Sequence, residues 1–150
     1  MTAPNEAAPA PDAVPTAAKP TRLAPIVTLD AKFFWDASDR EEFVGQQCGA
    51  CGKFRFPPAP MCAHCNSLDT RIVQLSGRGK VVSWIKPIHP PAFGFKEPPT
   101  VAVIELEEGT RFVSNVVGIA FEAVTMNMAV EVCFEATMGN HKVPVFRPAQ

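Results

Sequence analysis

The sequence lacks an excess of charge of either sign. Its formal net charge is −1 over 150 residues, and from Ala31 onward it carries twelve basic and twelve acidic side chains. Nucleic-acid-binding proteins usually have a clear positive excess, because their affinity comes from neutralising phosphates. The balanced charge therefore argues against that class without excluding a local basic patch.

Long apolar runs and export signals are also missing. No run approaches the ~20 apolar residues that a membrane-spanning helix needs. The N-terminus has neither the basic segment nor the apolar segment of a secretory signal peptide. We therefore expect a soluble, cytoplasmic protein whose thiols stay reduced and are held by a metal.

The sequence contains none of the common catalytic motifs considered below. It has no Ser/His/Asp arrangement, no HExxH motif and no glycine-rich phosphate loop that opens a helix. Cys133 lies in an alternating segment that predicts a buried small hydrophobe rather than a reactive thiol. His89 and His141 fall in predicted loops, and His89 is the better candidate to touch a substrate. We predict no catalytic residue.

Proline is concentrated at the N-terminus. Six of the sixteen prolines fall in the first 25 residues, among eight alanines and with almost no large apolar residue before Leu23. Such a segment cannot bury enough surface to offset the entropy of ordering it. The composition predicts a disordered, semi-extended tail over residues 1–27.

Four of the five cysteines form two CxxC pairs that are separated by ten residues. Each pair predicts a tight turn that directs two thiolates toward one point, and two facing turns complete the tetrahedral S₄ cage that Zn²⁺ prefers. We predict a zinc ribbon over residues 48–69, with a short hairpin between the turns. The predicted metal ligands are Cys48, Cys51, Cys62 and Cys65. Because four protein ligands leave no open position, the ion is predicted to be structural.

Other interpretations of these cysteines have less support. Disulfides would need an oxidising compartment, and a thioredoxin-like site would need one CxxC beside a βαβ pattern, which is absent. Iron stays an alternative, because ligand softness and geometry do not separate it from zinc in a Cys₄ cage. His64 lies inside the second pair, and we expect it to be exposed to solvent because the cysteines already complete the cage.

The segment before the cysteines, residues 28–47, is predicted to be an aromatic helical arm. Ser38 and Glu41 have capping-box spacing, which predicts a short helix that starts there and ends near Val44 or Gln46. The arm contains more large apolar side chains than a short helix needs for its own packing. Either they pack on the ribbon and the domain behind it, or part of this surface is reserved for a partner protein.

From residue 70 onward the pattern is mainly β, and residues 70–150 predict a five-stranded OB-fold barrel. A glycine-containing bend at Ser76–Gly79 lies within a long first strand. A proline-rich loop at Pro87–Pro99 cannot be a central strand, and Phe121–Met126 predicts a helical turn. The strands are predicted at Arg71–Leu75 with Lys80–Ile85, Val101–Leu106, Arg111–Val117, Ala129–Phe134 and Lys142–Phe146.

The order of these motifs resembles a known family. The arm is followed by Cys-x-x-Cys-Gly-Lys-x-Arg-Phe-Pro-Pro, the second CxxC, Ser-Gly-Arg-Gly-Lys-Val-x-Ser-Trp, Val-Ala-Val-Ile-Glu-Leu-x-Glu-Gly and Val-Pro-Val-Phe-Arg-Pro. Over residues 32–148 the chain is similar to the acyl-CoA-associated family with a rubredoxin-like zinc ribbon and a C-terminal OB-fold, a former domain of unknown function. All four expected metal ligands are present.

The resemblance implies a non-catalytic subunit in lipid or other acyl-CoA metabolism. Family members associate with thiolase-fold enzymes, hydroxymethylglutaryl-CoA synthases, lipid-transfer-type aldolases and MaoC-like hydratases, and are thought to support the partner's fold and help hold CoA thioesters. We therefore expect a hetero-oligomer with an acyl-CoA enzyme, and an acyl-CoA as a shared ligand. Which partner, acyl group and stoichiometry apply is not determined by the sequence.

A CoA thioester needs positive charge for its phosphates and an apolar face for its adenine or acyl chain. Arg78 and Lys80 are candidates for the phosphates, and Phe93 and Phe95, with Trp84, for the apolar part. The simpler role of Arg78 and Lys80 is a solvated turn on the barrel rim, and that of Trp84 is a core residue of the barrel. Two alternatives to the subunit remain: a zinc-ribbon/OB-fold module that binds nucleic acid by base stacking, and a stand-alone enzyme or iron-containing electron carrier.

Overall fold

The computed structural model describes residues 21–150, so most of the predicted tail lies outside the described residues. Residues 21–28 form no helix or strand, and a 3₁₀ turn follows at Leu29–Ala31. The chain then forms one α-helix, eight strands and a second 3₁₀ turn at Phe121–Ala123. Within this described range no helix is long and apolar enough to cross a membrane.

The helix of the arm lies earlier than predicted. Helix α1 spans Lys32–Asp39, so the aromatic residues Phe33, Phe34 and Trp35 are in its first turn. The predicted start at Ser38 is wrong, because the buried Ser38 hydroxyl donates a hydrogen bond back to the Phe34 carbonyl inside the helix. Glu41 then adopts a left-handed φ of 62°, which ends the helical path.

A three-stranded antiparallel sheet follows, in which β1 is central. Its strands are β1 at Val44–Cys48, β2 at Phe54–Arg55 and β3 at Thr70–Gln74, in the order β2-β1-β3. Two boundaries differ from those predicted: residues 44–47, assigned to the arm, form most of β1, and residues 70–74, assigned to the barrel, pair with β1 instead. This sheet carries both CxxC turns at its ends.

The predicted five-stranded barrel is confirmed. Its strands close in the order β4-β5-β6-β8-β7, with a parallel contact between β6 and β8 that completes the Greek-key OB arrangement. The bulge in the first barrel strand lies between Val81 and Ser83 rather than at Ser76–Gly79. The strands are β4 at Arg78–Ile85, β5 at Thr100–Leu106, β6 at Arg111–Val116, β7 at Ala129–Ala136 and β8 at Lys142–Pro148.

One aromatic cluster joins the arm, the ribbon and the barrel. Phe34 of the arm and Phe56 of the ribbon both contact Phe112 of β6, with ring centroids 6.0 and 4.5 Å apart. Phe43 packs edge-to-face on Phe112 and on Phe146 of β8. The surplus of aromatic side chains in the arm is therefore used largely for internal packing, which is the first of the two predicted roles.

Candidate metal centre

The two CxxC turns are built alike. In the first, the Gly52 N–H donates to the Cys48 carbonyl over 2.9 Å, and in the second the Asn66 N–H donates to the Cys62 carbonyl over 2.9 Å. The residue after each pair has a left-handed backbone, with φ of 72° at Gly52 and 59° at Asn66. Glycine and asparagine tolerate that conformation best. A glycine or asparagine directly after each CxxC pair is therefore a further sequence signal for these turns, in addition to the cysteine spacing.

The four sulfurs are brought together as predicted. They lie within 4.8 Å of one another, with 3.6 Å between the Cys48 and Cys65 sulfurs and 3.7 Å between those of Cys51 and Cys62. A tetrahedral zinc site with Zn–S bonds of ~2.3 Å requires sulfurs ~3.8 Å apart. The cage therefore has the size of a Cys₄ zinc site, and the separations are far too long for disulfide bonds.

The surroundings of the sulfurs also fit a cation. The Cys51 N–H, with the Arg55 side chain, lowers the pKa of the Cys48 thiol to about 5 against the effect of burial. At Cys65 the Ser67 N–H lowers the pKa, but the neighbouring Cys51 thiol and burial outweigh it and raise the pKa to about 12. Thiolates this close oppose one another's ionisation, so four of them together need a positive ion between them.

His64 is exposed on the second turn, as predicted. It contributes to the rim of an open cleft of about 730 Å³ between the ribbon and the hairpin that joins β5 to β6. Phe54 and Phe56 form the apolar part of this cleft. The imidazole does not belong to the group of four ligands.

The predicted phosphate-binding residues lie at the start of β4 and are paired with carboxylates. Arg78 donates to both carboxylate oxygens of Glu107 over 3.0 Å, and the Lys80 ammonium lies 3.1 Å from Glu105. Both basic residues line a cavity of about 440 Å³ on the barrel. An anionic ligand would have to replace these exposed ion pairs, which are typically weak.

The predicted apolar residues lie elsewhere. Phe95 is covered by the Arg22 guanidinium, 4.9 Å from its ring, and Arg22 also forms a 3.1 Å ion pair with Glu135. Lys80 pairs with Ala129 at the start of β7, whereas Glu135 is near its end, ~20 Å further along the strand. Phe93 is 78% exposed on the same loop as Phe95. The structure therefore does not bring Arg78 and Lys80 together with Phe93 and Phe95.

His141 has a structural role that the sequence did not reveal. Its Nδ1 lies 2.8 Å from a carboxylate oxygen of Asp39 at the end of α1. The other carboxylate oxygen of Asp39 accepts the Lys142 N–H over 2.9 Å, and the Lys142 ammonium reaches Glu41. These contacts tie the arm to the start of β8, about a hundred residues away in sequence.

The Cys₄ ribbon and the closed five-stranded barrel define a zinc-ribbon/OB-fold protein. Two domain models match in succession: the ChsH2 rubredoxin-like zinc ribbon domain over residues 35–71 and the ChsH2 C-terminal OB-fold domain over residues 72–135. A DUF35 domain-containing scaffold protein of Methanocaldococcus jannaschii is 34% identical over 98 residues, which are 64% of this chain and 70% of the relative. The chain belongs to the DUF35 family.

Other relatives extend this comparison. A probable enoyl-CoA hydratase alpha subunit of Thermomonospora curvata is 40% identical over 87% of this chain, which spans 41% of that relative's length. A solved structure described as an Ltp2-ChsH2(DUF35) aldolase is 40% identical, covers 85% of this chain and 100% of its own, and has a TM-score of 0.79. A DUF35 structure from Sulfolobus solfataricus, 13% identical with a TM-score of 0.54, supports the fold alone.

Proposed function

We propose that this chain is a non-catalytic subunit of an acyl-CoA enzyme, and that its partner has a thiolase fold. The match that carries the proposal is the DUF35 chain of the Ltp2-ChsH2(DUF35) aldolase, which this chain covers completely at 40% identity. The names of the hydratase alpha subunits from Thermomonospora curvata and Mycobacterium tuberculosis also refer to acyl-CoA chemistry. The chain spans about two fifths of those subunits, so their activity is not transferred to it.

The surface of the arm supports a role in association. Ile26 and Leu29 are 90% and 95% exposed, although they lie beside an ordered helix. Two large aliphatic side chains this exposed on one short segment favour burial against another protein. We propose that this segment contacts the partner, and that the aromatic cluster behind it keeps the segment in place.

The proposed ligand is an acyl-CoA that is held jointly with the partner. Since Arg78 and Lys80 lie far from Phe93 and Phe95, a single CoA site within this chain is not the simplest arrangement. Either pair could supply one side of a site whose other side belongs to the enzyme. The ion pairs of Arg78 with Glu107 and of Lys80 with Glu105 are exposed and weak. The phosphates of CoA can therefore take the place of these carboxylates.

Co-purification tests the association. The chain would be co-expressed with a tagged thiolase-fold protein from its genomic neighbourhood, and in parallel with a tagged MaoC-like hydratase. We expect stoichiometric retention by the thiolase-fold protein and loss of retention when Ile26 and Leu29 are both changed to Asp. Val113→Asp, at a 61% exposed position on β6, is the matched control. A chain that stays monomeric beside every such enzyme would contradict the proposal.

A second measurement tests the ligand. Titration calorimetry with a short acyl-CoA would compare the free chain, the free enzyme and the complex. We expect the tightest binding in the complex, and a weaker affinity there when Arg78 and Lys80 are changed to Ala or when Phe93 is changed to Ala. Equal affinities of the complex and the free enzyme would remove the proposed role in holding acyl-CoA, and would leave the association intact.

A further inference from the structure

Two loops of the barrel contact the segment that precedes the arm helix. They are the 86–99 loop, between β4 and β5, and the 137–141 loop, between β7 and β8. In OB-folds, the loop between the first two strands and the loop between the last two contribute to the ligand-binding surface. Residues 21–24 contact both of these loops. A piece of the chain therefore lies where other OB-folds place a ligand.

Arg22 anchors this segment to both loops. Its carbonyl oxygen accepts the Met138 N–H over 2.8 Å. Its guanidinium lies 4.9 Å from the centre of the Phe95 ring, within the range of a cation–π contact. The same guanidinium lies 3.1 Å from a carboxylate oxygen of Glu135, near the end of β7, and only 16% of the arginine side chain is exposed. One residue is thus held through its backbone, its charge and an aromatic face.

A glycine in each loop makes room for the segment. A Cβ atom at Gly94, whose φ is 85°, would lie 2.8 Å from the Thr21 carbonyl oxygen. A Cβ atom at Gly139 would lie 2.9 Å from the Cβ atom of Ala24. Cβ atoms essentially never come this close to other atoms. Both loops therefore use glycine to let the segment approach closely, as a backbone does where it meets a ligand.

The sequence of the segment suits a bound peptide. Pro20 and Pro25 flank residues 21–24, and a proline disfavours the helical conformation of the residue before it. Residues 21–24 accordingly form no helix and no strand. Extended peptides bind through hydrogen bonds of the main chain, and pockets for single side chains give the specificity. The contacts of Arg22 supply both kinds of interaction.

We propose that the 86–99 and 137–141 loops form a groove that binds an extended, arginine-bearing peptide segment, and that residues 21–24 fill the groove of their own chain. Glu135 and Phe95 select the arginine, and the Met138 N–H fixes the register of the peptide backbone. Because the chain's own segment has a high effective concentration at the groove, it excludes other peptides. It also holds in place the loop that carries Phe95.

A competition experiment tests the groove. A fluorescent peptide of residues 18–28 would be titrated with the full chain loaded with zinc, and its binding followed by anisotropy. In Arg22→Ala the chain's own segment loses its anchor, so we expect at least ~10-fold tighter peptide binding than for the unaltered chain. Arg40→Ala is the matched control, because its ion pair with Glu42 is exposed on the arm. This control should bind the peptide as weakly as the unaltered chain.

Amide exchange at Met138 reports whether the groove is filled. Exchange should be slow in the unaltered chain, faster in Arg22→Ala, and slow again when the peptide is added. Glu135→Ala should also speed exchange, but the peptide should not restore protection, because the groove itself has lost its carboxylate. Glu131→Ala removes a carboxylate of the same strand that pairs with Arg147. It should leave exchange at Met138 unchanged.

Three results would overturn the proposal. Peptide affinities of the unaltered chain and Arg22→Ala within twofold of each other, or no binding to either, would show that the loops form no groove for this segment. An unchanged exchange rate at Met138 in both Arg22→Ala and Glu135→Ala would show that the arginine does not anchor it. Protection that is lost on dilution would assign the groove to the segment of a second copy. If Arg22→Ala does not fold, Glu135→Ala still decides through exchange at Met138.

Discussion

The ribbon and the barrel are stabilised by different interiors. The barrel encloses hydrocarbon side chains such as Val81, Ile104 and Val145, each with 0% exposure. Apart from Val44 at the start of β1, the buried side chains of the ribbon are thiols and polar groups: Cys48, Cys62, Gln46 and Arg55. A unit of about thirty residues is too small to bury an adequate apolar core and usually needs a metal or disulfides. The barrel is therefore stabilised by the burial of apolar side chains, and the ribbon by the ligation of a metal ion.

The largest expected effect follows from removing a metal ligand. Cys48→Ser should unfold the ribbon, because metal binding contributes ~10–16 kcal/mol to folding in small zinc domains. Amide exchange should become fast at Gly52 and Asn66 but stay slow in β5 and β8, since the barrel has its own core. Cys133→Ser is the control, because this thiol lies outside the cage. Unchanged exchange in the ribbon, with and without chelator, would show that the cage is not structural.

The next largest effect is expected at the joint between the two regions. Phe43 is 2% exposed and packs on Phe112 and Phe146. Phe43→Ala should therefore lower the free energy of unfolding by ~3–5 kcal/mol. Denaturant unfolding followed by tryptophan fluorescence measures the loss. Phe93→Ala, at an exposed position, should change stability by less than ~0.5 kcal/mol. A similar loss for both variants would mean that the aromatic cluster does not join the regions.

A smaller, pH-dependent effect is expected where the arm meets β8. Burial raises the pKa of Asp39, but the Lys142 N–H and the His141 ring outweigh it and hold the pKa below 3.8. The stabilisation is therefore present above this unfolded-state value and is lost as the pH falls through the lower folded-state value. Asp39→Asn should cost ~1–2 kcal/mol at pH 6.

Stability measured from pH 6 to pH 2.5 tests this contact. The difference between the unaltered chain and Asp39→Asn should shrink as the pH falls below about 4, the unfolded-state value for aspartate. Asp39→Ala adds the loss of the hydrogen bond to the Lys142 N–H and should be less stable than Asp39→Asn at every pH. A difference that does not change with pH would mean that the charge of Asp39 makes no contribution.

The smallest effect is expected on the barrel surface. The Arg78 ion pair with Glu107 is exposed on both sides, so Arg78→Ala should leave the melting temperature nearly unchanged, because water and salt screen such a pair. Thermal unfolding of the unaltered chain and of Arg78→Ala, at low and at high salt, measures this change. Any difference between the two proteins should disappear in high salt. A marked loss of stability that persists in high salt would contradict the assignment of Arg78 to a solvated rim.

The features that depend on local sequence patterns were predicted well from the sequence. The CxxC spacing places two sulfurs within one turn, so Cys48, Cys51, Cys62 and Cys65 could be assigned without knowledge of the fold. Alternating strands and turn residues likewise predicted a five-stranded barrel. The capping-box prediction at Ser38 failed for a local reason as well, because its hydroxyl has a competing acceptor one turn earlier in the helix.

Contacts between segments that are distant in the sequence could not be predicted from it. The segment Val44–Cys48 becomes a strand because Thr70–Gln74 pairs with it, more than twenty residues later. Gly45 and the two glutamines give it no strand signal of their own. The contact between His141 and Asp39 likewise depends on how the barrel closes against the arm.

What the sequence alone determined about this protein is its metal cage and the number of strands in its barrel, because both follow from short-range spacing. Only the tertiary structure decided which sheet receives β3, how far Arg78 lies from Phe95, and that Arg55 is buried with its guanidinium donating to backbone carbonyls on both sides of the second CxxC turn. These outcomes depend on segments that meet only after the chain has folded. A basic residue can be a solvated cation, like Arg78, or a buried donor to backbone carbonyls, like Arg55. Which of the two it becomes depends on the segments that surround it after folding, because burial and partners set its energy.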